Sequence, residues 1–120
     1  MRVLVDTSAF LAVINADDEN HSRAKETWSA LVTQDAQLVC TNYVLVETFA
    51  LVQKRLGMQA VRVFQDDLLP VVDVKWIDET CHRAAVSALL AAGRRELSLV
   101  DCTSFEVMRQ LGTDAVFAFD

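Results

Sequence analysis

Short apolar runs alternate with longer amphipathic stretches along the whole chain, and that alternation limits the fold more than any other feature. Arg2-Val-Leu-Val-Asp6 reads as a buried strand ending on a carboxylate, Gln37 to Cys40 as a second and Val71 to Ile77 as a third. Ala115 to Phe119 reads as a last strand ending at Asp120. Between them the apolar spacing predicts helices: a short one over Phe10 to Ile14, then His21 to Val32 with Ala24, Trp28, Leu31 and Val32 on one face. A third starts at Thr41 or Asn42 and runs to Leu56, where Gly57 ends it. Met58 to Leu69 follows and stops at Pro70; Asp78 to Ala92 closes on Gly93, and Ser98 to Leu111 is the last. The cluster Asp17-Asp18-Glu19-Asn20 has a plain account as an N-terminal cap with a favourable charge at the helix dipole. Strands separated by helices imply an α/β fold, with a mainly parallel sheet of four to five short strands covered on both faces.

Length makes this a single domain over residues 1–120, because two cores would each be too small to stand alone. With 52% hydrophobic residues, three Gly and one Pro, the chain can bury a real core and leaves little for linkers. No apolar stretch reaches the roughly 20 residues of a membrane span; the longest, Leu38 to Val52, is broken by Asn42 and Glu47. Asp6 interrupts the N-terminal apolar run before a secretory signal can form. The expectation is a cytoplasmic protein without a membrane partner. Three widely spaced cysteines, Cys40, Cys81 and Cys102, form no CxxC pair, and His21 and His82 are isolated. Free thiols in a reducing compartment fit this pattern better than zinc or disulfides.

A formal charge of −6 argues, as a sum, against nucleic-acid binding. Its distribution argues otherwise. If four of the seventeen acidic residues serve one metal site, thirteen remain against eleven basic ones, and a bound divalent cation reverses the local sign. Asp35, Asp66, Asp67, Glu106 and Asp114 read as solvated positions. Asp6 and Asp120 instead follow strands, and in a parallel sheet both emerge at the carboxyl edge where ligands of open α/β folds bind. Glu47 has Tyr43, Val44, Ala50 and Leu51 as its helical neighbours, so it falls on a stripe expected to pack inward. A buried carboxylate costs several kcal/mol unless it is paired or binds metal. Asp101 follows Ser98 by three residues in a capping-box pattern, which is compatible with a second role in holding metal. Carboxylates brought within about 4–6 Å of one another repel, and the ordinary remedy is a hard cation, Mg²⁺ or Mn²⁺.

The stretches Val3-Leu-Val-Asp-Thr-Ser-Ala-Phe10, Thr41-Asn-Tyr-Val-Leu-Val-Glu-Thr48, Leu97-Ser-Leu-Val-Asp-Cys-Thr-Ser104 and Val116-Phe-Ala-Phe-Asp120 occur in an order that resembles the PIN-domain ribonucleases, close to the VapC toxins of bacterial toxin–antitoxin pairs. The resemblance spans the whole chain. It implies a three-layer PIN-like fold and an acidic cluster of Asp6, Glu47, Asp101 and Asp120, with Asp6 and Asp101 as principal metal ligands. It also implies that Thr7, Ser8 and Thr103 or Ser104 orient water or phosphate, and that the partners are RNA, an antitoxin and a second copy of the chain. Members of that family usually continue past the last Asp with an aromatic-containing segment, and this chain does not.

The expected chemistry is hydrolysis of an RNA phosphodiester by a water activated on Mg²⁺, or on Mn²⁺ in its place. A second metal near Asp120 would stabilise the leaving oxygen, and Glu47 would hold metal waters or take the proton. Lys54-Arg55 and Arg94-Arg95 are the basic pairs available to RNA, although charge compensation at helix ends also explains them. Covalent catalysis is disfavoured for lack of a Ser-His-Asp or Cys-His arrangement. Two other classes compete. A phospho-accepting receiver domain would need an acidic pair after the first strand and a Lys after the last, where this chain has Asp6-Thr7 and Asp120. A PIN fold kept as a binding module, or an RNA-processing nuclease without an antitoxin, would share every motif above.

Overall fold

The computed structural model describes residues 1–113 and 115–119. Four strands, β1 (Arg2–Val5), β2 (Gln37–Thr41), β3 (Val72–Lys75) and β4 (Val116–Phe117), form one sheet in the order β3-β2-β1-β4. Every pairing is parallel; Val3 sits opposite Leu38, Val39 opposite Asp73 and Leu4 opposite Val116. Six α-helices connect and cover them: α1 (Thr7–Ile14), α2 (His21–Thr33), α3 (Asn42–Leu56), α4 (Met58–Val63), α5 (Glu79–Ala92) and α6 (Leu99–Leu111).

The pleat sorts the core into two layers. Successive side chains of a strand point to opposite faces, and Val3, Val5, Leu38 and Cys40 join the cluster with Ala9 and Phe10 of α1, Ala24 of α2, Val44 of α3 and Phe64. The alternate residues Leu4 and Val39 pack on the other face with Val107 of α6. The larger layer carries the aromatic centre: Phe64 meets Phe10 at 5.0 Å and Phe49 at 4.9 Å between ring centroids, both edge to face. Edge-to-face pairs of this kind add about 0.5–1.5 kcal/mol each beyond their buried area. The expected α/β three-layer architecture is the observed one.

Element boundaries moved where the backbone had local reasons to move them. The first helix begins at Thr7, three residues earlier than its apolar pattern, because Asp6 is its N-cap and accepts from the Ser8 amide. The Met58–Leu69 helix is α only to Val63, then widens into a π turn over Phe64–Leu68 and tightens to 3₁₀ over Leu69–Val71. Pro70 has no amide hydrogen, and in an α-helix its ring would meet the carbonyl four residues earlier, at Asp66. The widened turn still delivers Phe64 and Leu68 to the core. The acidic cluster before α2 caps nothing directly. Asn20, the N-cap, makes no side-chain cap bond, and Asp18 instead accepts from the Asn20 amide at 2.8 Å within the preceding turn. β3 ends at Lys75, two residues short of its pattern, because the Ile77 amide leaves the sheet to donate to the Asn42 side chain at 2.6 Å. No helix among the described residues is long and apolar enough to cross a membrane.

Candidate active site

β1 and β4 both run toward the carboxyl edge of the sheet, and α6 starts beside that edge. Their ends enclose a cleft of about 130 Å³ whose wall includes Asp6, Asp101 and Ser104 together with Leu4, Phe105 and Met108. Each acid is held by its own local structure. The Oδ2 atom of Asp6 accepts from the Ser8 hydroxyl at 3.0 Å and from its amide at 3.4 Å. The Ser8 hydroxyl in turn accepts from the Phe119 amide at 2.9 Å, so one serine ties the end of β1 to the segment after β4. Asp101 is the N3 residue of a complete capping box: its amide donates to Ser98 Oγ at 3.0 Å, and its Oδ2 accepts from the Ser98 amide at 3.1 Å. In both cases the bonds occupy Oδ2, and the carboxylate turns toward the cleft fixed but not neutralised.

Neutralisation by protein cations is missing. Among the described residues the four ion pairs are Lys75–Asp73, Arg83–Glu79, Arg94–Glu96 and Arg109–Glu106, none of which involves Asp6, Asp101 or Glu47. At the same cleft Ser104 is buried, and its hydroxyl has no hydrogen-bond partner among the described residues. A buried polar group without a partner costs roughly 1–3 kcal/mol. Two hard, unneutralised oxygen donors suit a divalent cation and its waters.

The remaining candidates separate. Glu47 is half-buried rather than packed inward: the buried line of α3 is Val44, Thr48 and Val52, and Ala50 and Val46 face solvent. Its carboxylate borders a neighbouring apolar hollow with Asn42, Tyr43, Val46 and Val100. Among the described residues no three Asp, Glu, His or Cys side chains form a metal-binding group. Asp120 lies outside the described residues, so the expected four-carboxylate cluster is represented by Asp6 and Asp101 in one cleft and Glu47 one helix away. Thr7 turns inward and accepts a buried hydrogen bond from Thr48 at 3.1 Å, joining α1 to α3. Thr103 is also buried and donates to the Val100 carbonyl at 2.7 Å. Of the hydroxyl candidates, Ser8 positions an acid and Ser104 faces the cleft. Thr7 and Thr103 hold the fold.

The basic pairs divide the same way. Arg94 and Arg95 are exposed in the loop just before α6, although Arg94 pairs with Glu96 at 3.2 Å. Lys54 and Arg55 occupy the last turn of α3, roughly 10 Å along the helix beyond Glu47 at 1.5 Å per residue. Two features escaped the sequence patterns. Tyr43, counted there as apolar, bonds through its hydroxyl to His82 Nδ1 at 2.5 Å, one turn before Glu47. Arg23 of α2 lies over the Phe119 ring at 5.7 Å. Neither pairing has a local sequence signal, because each joins distant segments.

Cysteine chemistry does not compete with the acids. All three thiols are buried, and burial is the leading cause that pushes each of them up, Cys40 to about 12 and Cys81 and Cys102 above the ordinary thiol range. Neighbouring carboxylates add to it, Asp73 for Cys40 and Asp101 for Cys102. Thiols kept protonated are poor nucleophiles and poor metal ligands.

A family model described as "PIN domain" matches residues 3–120. The chain is 36% identical, over 119 residues, to the "23S rRNA-specific endonuclease VapC20" of Mycobacterium tuberculosis in two strains, covering 98% of this chain and 88% of the relative. The crystal structure of that organism's VapC20, described as a "Sarcin-Ricin loop cleaving toxin", superposes with a TM-score of 0.87 at 34% identity, over 98% of this chain and 89% of that one. Two further structures share the fold alone. FitAcB from Neisseria gonorrhoeae has a TM-score of 0.67 at 16% identity, covering 98% of this chain and 96% of that one. VapBC2 from Rickettsia felis, bound to a DNA fragment from its promoter, has a TM-score of 0.65 at 12% identity over the full length of both chains.

Proposed function

The chain belongs to the PIN-domain family, and on that premise we propose that it is the toxin of a toxin–antitoxin pair, an endoribonuclease that hydrolyses RNA at the Asp6–Asp101 cleft. The observation that carries this reading is the pair of fixed, unneutralised carboxylates facing one cleft beside the orphaned Ser104 hydroxyl. The substrate we assign is structured ribosomal RNA, on the strength of the relative described as 23S rRNA-specific. We assign Mg²⁺ as the ion, with Mn²⁺ able to replace it, since both take oxygen donors in the geometry that two or three carboxylates leave open.

A phosphodiester resists attack because its oxygens are anionic and its leaving group is poor. A divalent cation, when bound, supplies charge neutralisation at the phosphate and a more acidic water. The chain's own residues do the rest. Ser8 and the Ser98 capping box fix the directions of Asp6 and Asp101, so little reorganisation is needed when substrate arrives. Ser104 lines the same cleft with its hydroxyl oxygen buried in the wall, and we assign it to a water or phosphate oxygen that the bound state brings against it. Glu47, which borders the neighbouring hollow with Val100, is the residue we assign to hold metal waters or to take the proton. The apolar wall of Leu4 and Met108 limits the water that competes for these groups. The antitoxin and a second copy of the chain are the protein partners we assign; sedimentation of the chain alone tests the second copy, and sedimentation with a candidate antitoxin tests the first.

The deciding experiment is cleavage of ribosomal RNA and of a mixed RNA by purified protein in Mg²⁺, Mn²⁺ or EDTA, beside Asp6→Asn and Asp101→Asn. Cleavage that needs metal and disappears in both variants is the expected result. Cleavage that persists in EDTA, or in both variants, would overturn the assignment of the cleft.

A further inference from the structure

The cleft has two unlike halves. Asp6, Asp101 and Ser104 make one; the other is apolar, and at its lip Phe105 of α6 leaves 55% of its surface in solvent. The two carboxylates suit a divalent cation through which a phosphate could be held, but neither cation nor phosphate has a use for an exposed aromatic ring. A base attached to a phosphate at Asp6 and Asp101 would meet the exposed Phe105 ring, which lines the same cleft. Phe105 follows Ser104 in α6, and both residues line the cleft. Every base presents a π face, and stacking on an aromatic side chain tolerates any sequence.

We propose that the exposed ring of Phe105 is the stacking platform for the base next to the scissile phosphate, which makes an unpaired or extruded nucleotide the preferred substrate. This rests on the nuclease reading above, and its test separates the two. Binding of fluorescently labelled single-stranded RNA hexamers, intact or abasic at one position in turn, is measured in Ca²⁺ for the wild type, Phe105→Ala, Phe105→Leu and Phe105→Trp. Because the side chain is more than half exposed, truncating it leaves the core intact. The expected result is a roughly five- to hundredfold weaker binding of the intact hexamer by the Ala variant. One abasic position should cost the wild type the same factor and cost the Ala variant nothing further. Trp should restore binding, whereas Leu, apolar but without a π face, should not. Binding within twofold of wild type in the Ala variant, full rescue by Leu, or multiplying losses from the variant and the abasic site would each overturn the platform. So would unchanged RNA binding with an altered sedimentation coefficient, which would make the ring a protein-docking contact. Cleavage of ribosomal RNA in Mg²⁺ by the same variants is read alongside. Phe105-dependent binding without cleavage would overturn the nuclease reading and leave the platform standing, and cleavage indifferent to Phe105 would do the reverse.

Discussion

Two hollows flank α6, and the larger one is not the cleft that holds the acids. On one side Lys75, Trp76, Asp78, Cys81, Glu106 and Arg109 border a cavity of about 380 Å³. On the other is the 130 Å³ cleft of Asp6, Asp101 and Ser104. Both are bordered by charged side chains, but in the larger hollow the cations are paired: Arg109 with Glu106, and Lys75 with Asp73 at 3.1 Å. Exposed pairs of that sort contribute about 0–1 kcal/mol and ask for no ligand. Asp78, like Asp6, is an N-cap carboxylate, and it accepts from the Cys81 amide at 2.8 Å. In the smaller cleft the hydrogen bonds orient the acids and leave their charge uncancelled. Volume measures what can enter; unbalanced charge measures what is wanted.

The widest gap between the two hollows is expected in catalysis. Asp6→Asn and Asp101→Asn keep an acceptor for the Ser8 and Ser98 bonds while removing the charge, so they should cut cleavage roughly a thousandfold with little change in melting temperature. Lys75→Gln and Arg109→Gln, across α6, should leave the cleavage rate within about twofold. A large loss in the second pair, measured on the same RNA, would end the distinction.

A second effect belongs to neither hollow. Cys40 faces the helical core and its thiol is pushed up to about 12, chiefly by burial. Its folded-state value lies above the unfolded one, so its contribution is intact below about pH 9 and declines as pH rises toward 12, at up to about 1.4 kcal/mol per unit. Denaturant melts across that range should show the decline, and Cys40→Ala should flatten it. Asp101→Asn should not.

Smaller effects distinguish hydroxyls that hold the fold from the one that faces the cleft. Thr48→Val strands the Thr7 hydroxyl in the core and should cost about 1–3 kcal/mol in urea unfolding, with cleavage unchanged per folded molecule. Ser104→Ala removes an already unpartnered group, so stability should hold or rise by about 1 kcal/mol while cleavage falls roughly tenfold. A Ser104 variant that loses both together would mean the hydroxyl is structural after all.

Much of this was legible beforehand because it is written locally. The end of β1 at Asp6, the Ser98–Asp101 box and the glycine stops after α3 and α5 each depend on residues a few positions apart. The alternation of Val3, Leu4 and Val5 likewise announces a strand buried on both faces. What failed was tertiary. Glu47 looked internal because its neighbours at helical spacing are apolar, yet Val46 and Ala50 turn outward. The roles of Thr7 and Ser8 look alike in sequence and diverge only because Thr48 and Phe119, each far away, supply their partners. The contrast between the hollows was invisible too, since Arg109–Glu106 is a helical pair whose meaning depends on what lies across α6.

The Ser8 hydroxyl that bridges Asp6 to Phe119 carries a consequence for the order of synthesis. Chains emerge amino end first, and the Leu4 and Asp6 amides donate to the carbonyls of Ala115 and Phe117, at 3.0 Å each. A chain ended at Thr113 is therefore expected to expose the β1 edge, release Asp6 from its bridge and lose cleavage along with cooperative melting. The same holds for a nascent chain at that length. Pairing of β1 with β4, a strand made more than a hundred residues later, is thus what closes the edge and seats Asp6 in its bridge.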